Sequence, residues 1–385
     1  MSPRFLLYSH DGFGVGHLAR NLRVADALGR LLPHSSTLLA CGLSTGDPLP
    51  PGVDVLKLPT MHKVSQGRYE ARSLRMTSAD LRALRMALLE QTVRSFRPDV
   101  VLVDRHPVGL GGELRPALDL AQATGAALVL GLRDVLDEPA TIAAEWPAQV
   151  HAEIATRFDE ILVYGEQDGL DFAREYDLPA PLAAKLRYVG LVGPRPPSAP
   201  RPRRATDDPD VPFVVASVGG GEDGRRLLSA VLTGAAGAGW QGVALTGPHM
   251  PAADIGSLQP LADRSGLRLL PHEPDFPGLL RRADVSVSMA GANTVSEILS
   301  TGCRSVLLPR TRPRTEQLIR ARLLERSGRA ILVHPDDATP GTIRRAVERA
   351  LASPAPTPLE LTGAYRAARA LANLAMPTAA LEVPA

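Results

Sequence analysis

The 385-residue sequence predicts an α/β protein built as two doubly wound, Rossmann-like parallel-sheet domains. Three observations lead there. Short apolar runs alternate with helical patterns from one end of the chain to the other. Those runs are apolar on both faces, as a parallel sheet covered by helices on each side requires. The alternation stops once, at residues 193–211 (GPRPPSAPRPRRATDDPDV), and then restarts. That stretch is rich in Pro, Arg and Asp, lacks apolar periodicity, and reads as an extended linker. Composition agrees: 44% of residues are apolar, enough for two cores, while 34 glycines and 35 prolines supply the many turns.

Taken in order, strands are expected at 5–9, 36–41, 53–58, 99–104, 126–132, 160–164 and 188–192. Helices are expected at 18–32, 78–96 and 114–124, and the stretch 61–77 has no regular pattern. Past the linker, strands are expected at 213–218, 242–245, 267–270, 284–288, 305–308 and 330–333. Helices there run from the glycine loop through 238, over 294–300 and over 315–327; a last one, 359–374, follows the Pro-rich break at 353–358. The domain boundaries are therefore 1–193, a linker 194–211, a second domain 212–358, and a C-terminal segment 359–385.

Charge excludes one large class of partner. Forty-three Lys and Arg against 41 Asp and Glu leave a net +2, without the broad basic field that nucleic acid binding needs. The only lysines are Lys57, Lys63 and Lys185. Cys41 and Cys303 form no framework and have no neighbours at metal spacing; they read as small apolar residues of a reducing cytoplasm. The start of the chain has no signal-peptide pattern, and the longest apolar stretch, 125–132, falls far short of the roughly 20 residues of a membrane span. The expectation is a soluble cytoplasmic protein; peripheral contact with a membrane through arginines and exposed apolar side chains stays compatible with it.

Two glycine-rich loops carry the chemistry. Gly12-Phe13-Gly14-Val15-Gly16-His17 lies between a strand and a helix, where a dinucleotide fingerprint would place a third glycine; here the position is His17. The second strand also ends in Cys41-Gly42 without an acidic residue, which argues against a nicotinamide or flavin cofactor. What remains is a loop presenting N–H groups and one imidazole at a helix start, suited to an anion or to a general base. The alternative is a histidine that only caps the helix. His10 and Asp11 are the other protonatable groups at that strand end, the edge where open parallel sheets bind ligands.

In the second domain, Gly219, Gly220 and Gly221 follow the first strand and run into a helix beginning near Glu222. Further on, Met289-Ala290-Gly291-Ala292-Asn293-Thr294-Val295-Ser296-Glu297 opens a short helix. Small residues there open the strand end, Thr294 can reach an oxygen, and Glu297 can accept both hydroxyls of a ribose, with a surface glutamate on an amphipathic helix as the bland alternative. Glu316 and Gln317 carry ends suited to sugar hydroxyls, with capping as the bland alternative.

Together these pieces resemble the donor site of GT-B glycosyltransferases, and most of all the family 28-like branch of N-acetylglucosaminyltransferases that forms lipid II. The chain is also similar to a bacterial group of predicted glycosyltransferases through YSHDGFGVGHLARN (8–21), DRHPVGLGGE (104–113), GLRDVLDEP (131–139) and 164–192. The resemblance implies a ribose carboxylate at Glu297 and diphosphate contacts at Gly219–Gly221 and at Gly291, Ala292, Asn293 and Thr294. It implies a nucleobase slot at His272, Glu273 and Phe276, donor-sugar contacts at Glu316 and Gln317, and His17 near the acceptor. Gly14, Gly16, Asp104 and Arg133 fall on the acceptor side. The chain departs from the pattern in Ser288-Met289, where natural-product enzymes often carry a histidine, and in Phe13 and Val15.

The expected chemistry is sugar transfer from a nucleoside diphosphate sugar, UDP favoured, to an acceptor hydroxyl of a small molecule or envelope precursor, in a cleft between the domains. His17, or else His10 or Asp11, is the base. Helix ends rather than a metal meet the leaving diphosphate, and no cofactor is called for. Asp207-Asp208 and Asp336-Asp337 read as solvated charge. Two alternatives remain: a sugar-nucleotide epimerase using Asp104, Glu113 or Asp134, and a nucleotide-binding protein without turnover.

Overall fold

The computed structural model describes residues 2–10, 16–43, 48–65, 68–194 and 207–376, without the side chains of 63–65 and 68. Asp11, Gly12, Phe13, Gly14, Val15 and most of the expected linker lie outside the described residues. The chain divides into two compact units, Met1–Val192 with Thr362–Ala385, and Gly193–Leu361.

The first unit contains β1 (Arg4–Ser9), α1 (Gly16–Leu31), β2 (Ser36–Cys41), β3 (Val53–Lys57), β4 (Met61–Ser65), β5 (Arg68–Ala71), α2 (Ser78–Phe96) and β6 (Val100–Asp104). Then come α3 (Arg115–Ala123), β7 (Ala127–Arg133), α4 (Pro139–Glu145), α5 (Ala148–Arg157), β8 (Glu160–Tyr164), α6 (Phe172–Glu175), α7 (Ala180–Ala183) and β9 (Leu186–Tyr188). Seven strands form one parallel sheet in the order β3-β2-β1-β6-β7-β8-β9. Strand residues alternate between two cores. Leu6, Tyr8, Val101, Val103, Leu128 and Leu130 face one side, and Phe5, Leu7, Val100, Leu102 and Val129 the other. This explains why the strands read as continuous apolar runs.

The second unit contains β10 (Phe213–Ser217), α8 (Arg225–Ala235), β11 (Gln241–Leu245), α9 (Ala252–Ser265), β12 (Leu267–Leu270), α10 (Phe276–Arg282) and β13 (Val285–Ser288). It continues with α11 (Ala292–Thr301), β14 (Arg304–Leu307), α12 (Glu316–Arg326), β15 (Ile331–Leu332) and α13 (Pro340–Ala352). Its sheet is parallel throughout, in the order β12-β11-β10-β13-β14-β15. The last helix, α14 (Gly363–Ala375), returns to the first unit. Its Ala367, Ala368 and Leu371 share a core with Leu18, Val24 and Leu28 of α1. A side chain at Gly363 would collide with the Gly190 carbonyl, 2.4 Å from where its Cβ would stand.

Three expectations shift. The strand expected at 188–192 is β9, three residues long and ending at Tyr188. The run stays apolar, but Gly190 takes φ +83°, a left-handed turn that no strand continues through. The patternless stretch 61–77 contains the antiparallel pair β4–β5, whose Met61 packs with Leu81 and Leu110. The helix expected from 359 starts at Gly363, because Leu359 N–H is held by the Leu299 carbonyl of the second unit. No described helix is long and apolar enough to cross a membrane.

One fully buried ion pair ties α2 to the loop before α3. Arg85 donates to Glu113 through Nε and Nη2, both at 2.6 Å, and to the Pro59 carbonyl at 2.7 Å, while Tyr8 OH donates to Glu113 at 2.5 Å. Burial alone would lower the Arg85 pKa, but Glu113 outweighs it and raises it. Removing one partner of such a pair strands a buried charge. Arg85→Met should therefore destabilise the first unit by about 3–5 kcal/mol in denaturant unfolding, and Arg85→Met with Glu113→Leu should recover most of the loss. A single variant as stable as wild type would contradict this.

Candidate active site

In each sheet the strand order reverses at one place, between β1 and β6 in the first unit and between β10 and β13 in the second. Loops leaving neighbouring strands in opposite directions open a crevice there, the usual ligand site of such sheets.

At the first reversal, β1 delivers His10, β6 delivers Asp104, Arg105 and His106, and the first turn of α1 delivers His17 and Arg20. The i, i+3 spacing puts His17 and Arg20 on one helix face. Arg20 Nη2 donates to Asp104 Oδ1 at 2.8 Å and Oδ2 at 2.5 Å. His17 Nδ1 lies 3.2 Å from Asp104 Oδ1 and 2.8 Å from Arg20 Nη2. Asp104 is completely buried, which by itself would raise its pKa; Arg20 and then His17 reverse this and hold the carboxyl well below the usual range. The guanidinium of Arg20 also lies over the Tyr164 ring, 4.8 Å from its centroid. Burial, and then Asp104, push the Tyr164 phenol above its ordinary range, so it stays neutral.

His10 sits between two other imidazoles, its ring centroid 4.3 Å from His106 and 5.1 Å from His17. Burial lowers its pKa well below 6.5, and His106, His17, Arg105 and Arg133 add to the effect. His10 is therefore a neutral ring at pH 7. Arg105 takes φ +72°, a conformation rarely adopted by a non-glycine residue, and reaches Glu145 at 3.7 Å. Of the alternative carboxylates, Glu113 is fully buried in its pair with Arg85. Asp104 is likewise committed to Arg20. Gly16 opens α1, Arg133 ends β7, and Asp11 and Gly14 lie outside the described residues.

At the second reversal, the β10 loop turns through Gly219 (φ +62°) and Gly221 (φ +97°). A Cβ at Gly221 would overlap the Thr246 carbonyl at 2.1 Å, so the backbone approach is available to glycine alone. The helix after this loop, expected near Glu222, begins at Arg225 after a turn in which Gly224 N–H bonds the Gly221 carbonyl. After β13, Gly291 is the N-cap of α11 and has no side chain to cap it. Ala292, Asn293 and Thr294 form its first turn, whose N–H groups have no partner within the helix. Glu297 stands half-buried in the second turn. Ser288, the last residue of β13, is fully buried and its Oγ has no hydrogen-bond partner among the described residues.

Glu316 and Gln317 start α12 but turn inward, 2% and 7% exposed. Gln317 Oε1 accepts from the Arg310 backbone N–H at 3.2 Å, and Glu316 Oε1 accepts from Arg310 Nη2 at 3.2 Å. Arg310 also reaches Asp223 at 3.3 Å, linking this loop to the one after β10. Beyond β12, His272 is exposed, Glu273 accepts from Asp275 N–H at 3.1 Å, and Phe276 is the first residue of α10. Sequence reasoning missed Arg20, Arg310 and Arg320; the His17–Arg20 spacing was its one available signal. Among the described residues no group of three or more His, Cys, Asp or Glu is arranged to hold a metal ion.

Residues 252–370 match the glycosyltransferase family 28 C-terminal domain. The chain is 25% identical over 351 residues to the UDP-N-acetylglucosamine--N-acetylmuramyl-(pentapeptide) pyrophosphoryl-undecaprenol N-acetylglucosamine transferase of Paenarthrobacter aurescens, covering 86% of this chain and 84% of that one. It is 28% identical over 340 residues to the enzyme of the same name from Rhodopseudomonas palustris, covering 84% and 89%. Among solved structures, the kitacinnamycin glycotransferase superposes with a TM-score of 0.61 at 18% identity, over 98% of this chain and 97% of that one. MurG of Acinetobacter baumannii superposes with a TM-score of 0.57 at 14% identity, over 98% and 100%.

The electrostatics predict how stability depends on pH. His10 is depressed in the folded state, so below about pH 6.5 the unfolded chain takes up a proton that the folded chain refuses. Asp104 is depressed as well, so its contribution is complete above the ordinary carboxylate pKa and is lost as pH falls through the folded value. Unfolding followed from pH 8 to pH 4 should show stability falling below about pH 6.5. His10→Gln should flatten the limb between pH 6.5 and the carboxylate range; an unchanged profile would contradict the assignment.

Proposed function

We propose that this chain, a GT-B glycosyltransferase whose residues 252–370 form a family 28 C-terminal domain, moves a sugar from a nucleoside diphosphate, UDP favoured, to an acceptor hydroxyl without a resident metal ion. The observation that carries the reading is that each unit, taken by itself, offers a site at its switch point. The second unit offers an uncapped helix start with Glu297 in its next turn. The first offers an imidazole against a buried carboxylate.

In this reading the nucleobase lies over the loop after β12, two strands and so roughly 10 Å from β10. Glu297 accepts the ribose hydroxyls, and the diphosphate meets the N–H groups of Gly219–Gly221 and Gly291–Thr294. The acceptor hydroxyl gives its proton to His17 Nε2, its oxygen forms the new bond to the anomeric carbon, and the diphosphate leaves with the electron pair of the broken bond. Asp104, accepting from Nδ1–H, keeps Nε2 unprotonated and steadies the imidazolium that forms. The leaving charge is stabilised by oriented backbone N–H groups and the α11 dipole. An epimerase would need an unengaged carboxylate at the site; Glu113 and Asp104 are each paired with an arginine, and Asp134, the third candidate, has a partner as well, which disfavours it.

The relatives named above use UDP-N-acetylglucosamine and a lipid-linked acceptor, which supports a UDP-sugar donor and an envelope precursor as acceptor. Contact with an anionic membrane surface fits one further observation. Leu74, Met76 and Leu84 are three of the four exposed large apolar side chains among the described residues, 47%, 39% and 37% exposed. Arg72 and Arg75 stand exposed beside them. We place the protein in the cytoplasm, in keeping with two free buried cysteines.

Glu297→Ala should weaken UDP binding about 10- to 100-fold by calorimetry. His17→Ala should leave UDP affinity within about twofold but cut transfer on the order of 10²- to 10⁴-fold. Unaltered affinity in the first, or retained turnover in the second, would remove the assigned role. On phosphatidylglycerol vesicles, Leu74→Ser with Met76→Ser should lower co-sedimentation several-fold; equal binding would exclude this surface.

A further inference from the structure

Arg320 lies on α12 and is 3% exposed. Its Nη1 donates to the carbonyl of Ala290 at 2.8 Å, in the loop between β13 and α11. Ala290 is itself fully buried. The carbonyl and the N–H of one trans peptide point in opposite directions. A carbonyl drawn toward Arg320 therefore turns the N–H of Gly291 away from it. That N–H has no hydrogen-bond partner among the described residues, and Gly291 is partly exposed. It adds one donor to the uncapped start of α11.

We propose that Arg320 is a positioning residue for the donor diphosphate. It locks the Ala290–Gly291 peptide so that its N–H faces a phosphate oxygen. A hydrogen bond from a cation to the carbonyl also polarises the peptide, making the N–H at its other end a stronger donor. Arginine suits the position because its guanidinium stays charged when buried and its donors are held in a rigid plane. This inference rests on the donor-site reading above, and it assigns to Arg320 a role exerted through the Ala290 carbonyl.

The test is a double-mutant cycle read as UDP affinity by calorimetry on the full chain. Gly291→Pro deletes the N–H while leaving Arg320 in place, and the Gly291 φ of −66° already suits proline. Arg320→Met and Gly291→Pro should each weaken UDP about tenfold. If Arg320 acts through that N–H, the double variant should be little worse than either single one. Arg320→Lys, which keeps an N–H donor but not the planar guanidinium, should recover only part of the affinity, and the acceptor KM should stay unchanged in all of them. Thermal melting checks folding, and Arg320→Gln replaces Arg320→Met if the latter unfolds. Affinity within twofold of wild type in the Arg320 variant, or losses that multiply to about a hundredfold, would overturn the inference. Failure of wild type to bind UDP, dTDP or GDP would instead overturn the donor-site reading.

Discussion

The buried pair between Arg20 and Asp104 is the contact on which the first unit's chemistry depends. A carboxylate with no exposed surface at the end of a central strand would be protonated or expelled without a partner. Arg20 supplies two short bonds from α1 and so holds that helix against the end of β6. Pairs of this kind contribute little net stability but are costly to break. Their effect is to specify one arrangement, here the one in which His17 stands over Asp104. Because Arg20 only donates, His17 Nδ1 cannot serve both neighbours in the same tautomer. A protonated Nδ1 donates to Asp104 and leaves Nε2 as the base; an unprotonated one accepts from Arg20.

The second unit repeats the logic with different residues. Its strand order also reverses once, and again an arginine on a helix secures the loop leaving a central strand. Arg310 links the loops after β10 and β14 through Asp223 and Glu316 in the same manner. Only three of the 43 basic residues are lysines. Arginine alone among the basic side chains stays charged in such enclosed places while filling several hydrogen bonds at once. The near-neutral total conceals this, since these cations are paired locally and create no field over the whole surface.

Much of the architecture was legible, because strands buried on both faces leave an unbroken apolar signature. β2, α2, β8 and β12 fall within a residue of the runs that predict them. Local backbone effects hid the rest. Val189 and Val192 pack in the core as a strand would, yet β9 ends at Tyr188 and Gly190 turns the chain left-handed between them. β4 and β5 mix polar and apolar residues on a short hairpin and so carry no clear period. Of the residues proposed for the sites, the glycines, His17 and Glu297 stood out because of their type and their place after a strand end or in a helix start. Pairings across the fold were not. Glu113 reads as an available acid until Arg85, 28 positions away in sequence, is seen to enclose it. Nothing along the chain links Arg320 to Ala290, 30 positions earlier.

The tautomer of His17 tests the account most directly. Two-dimensional 15N NMR of histidine-labelled protein at pH 7.5 would resolve which ring nitrogen carries the proton. The proton is expected on Nδ1, with Nε2 free to accept one. A ring protonated at Nε2, with Nδ1 accepting from Arg20, would contradict the assignment of His17 as the base.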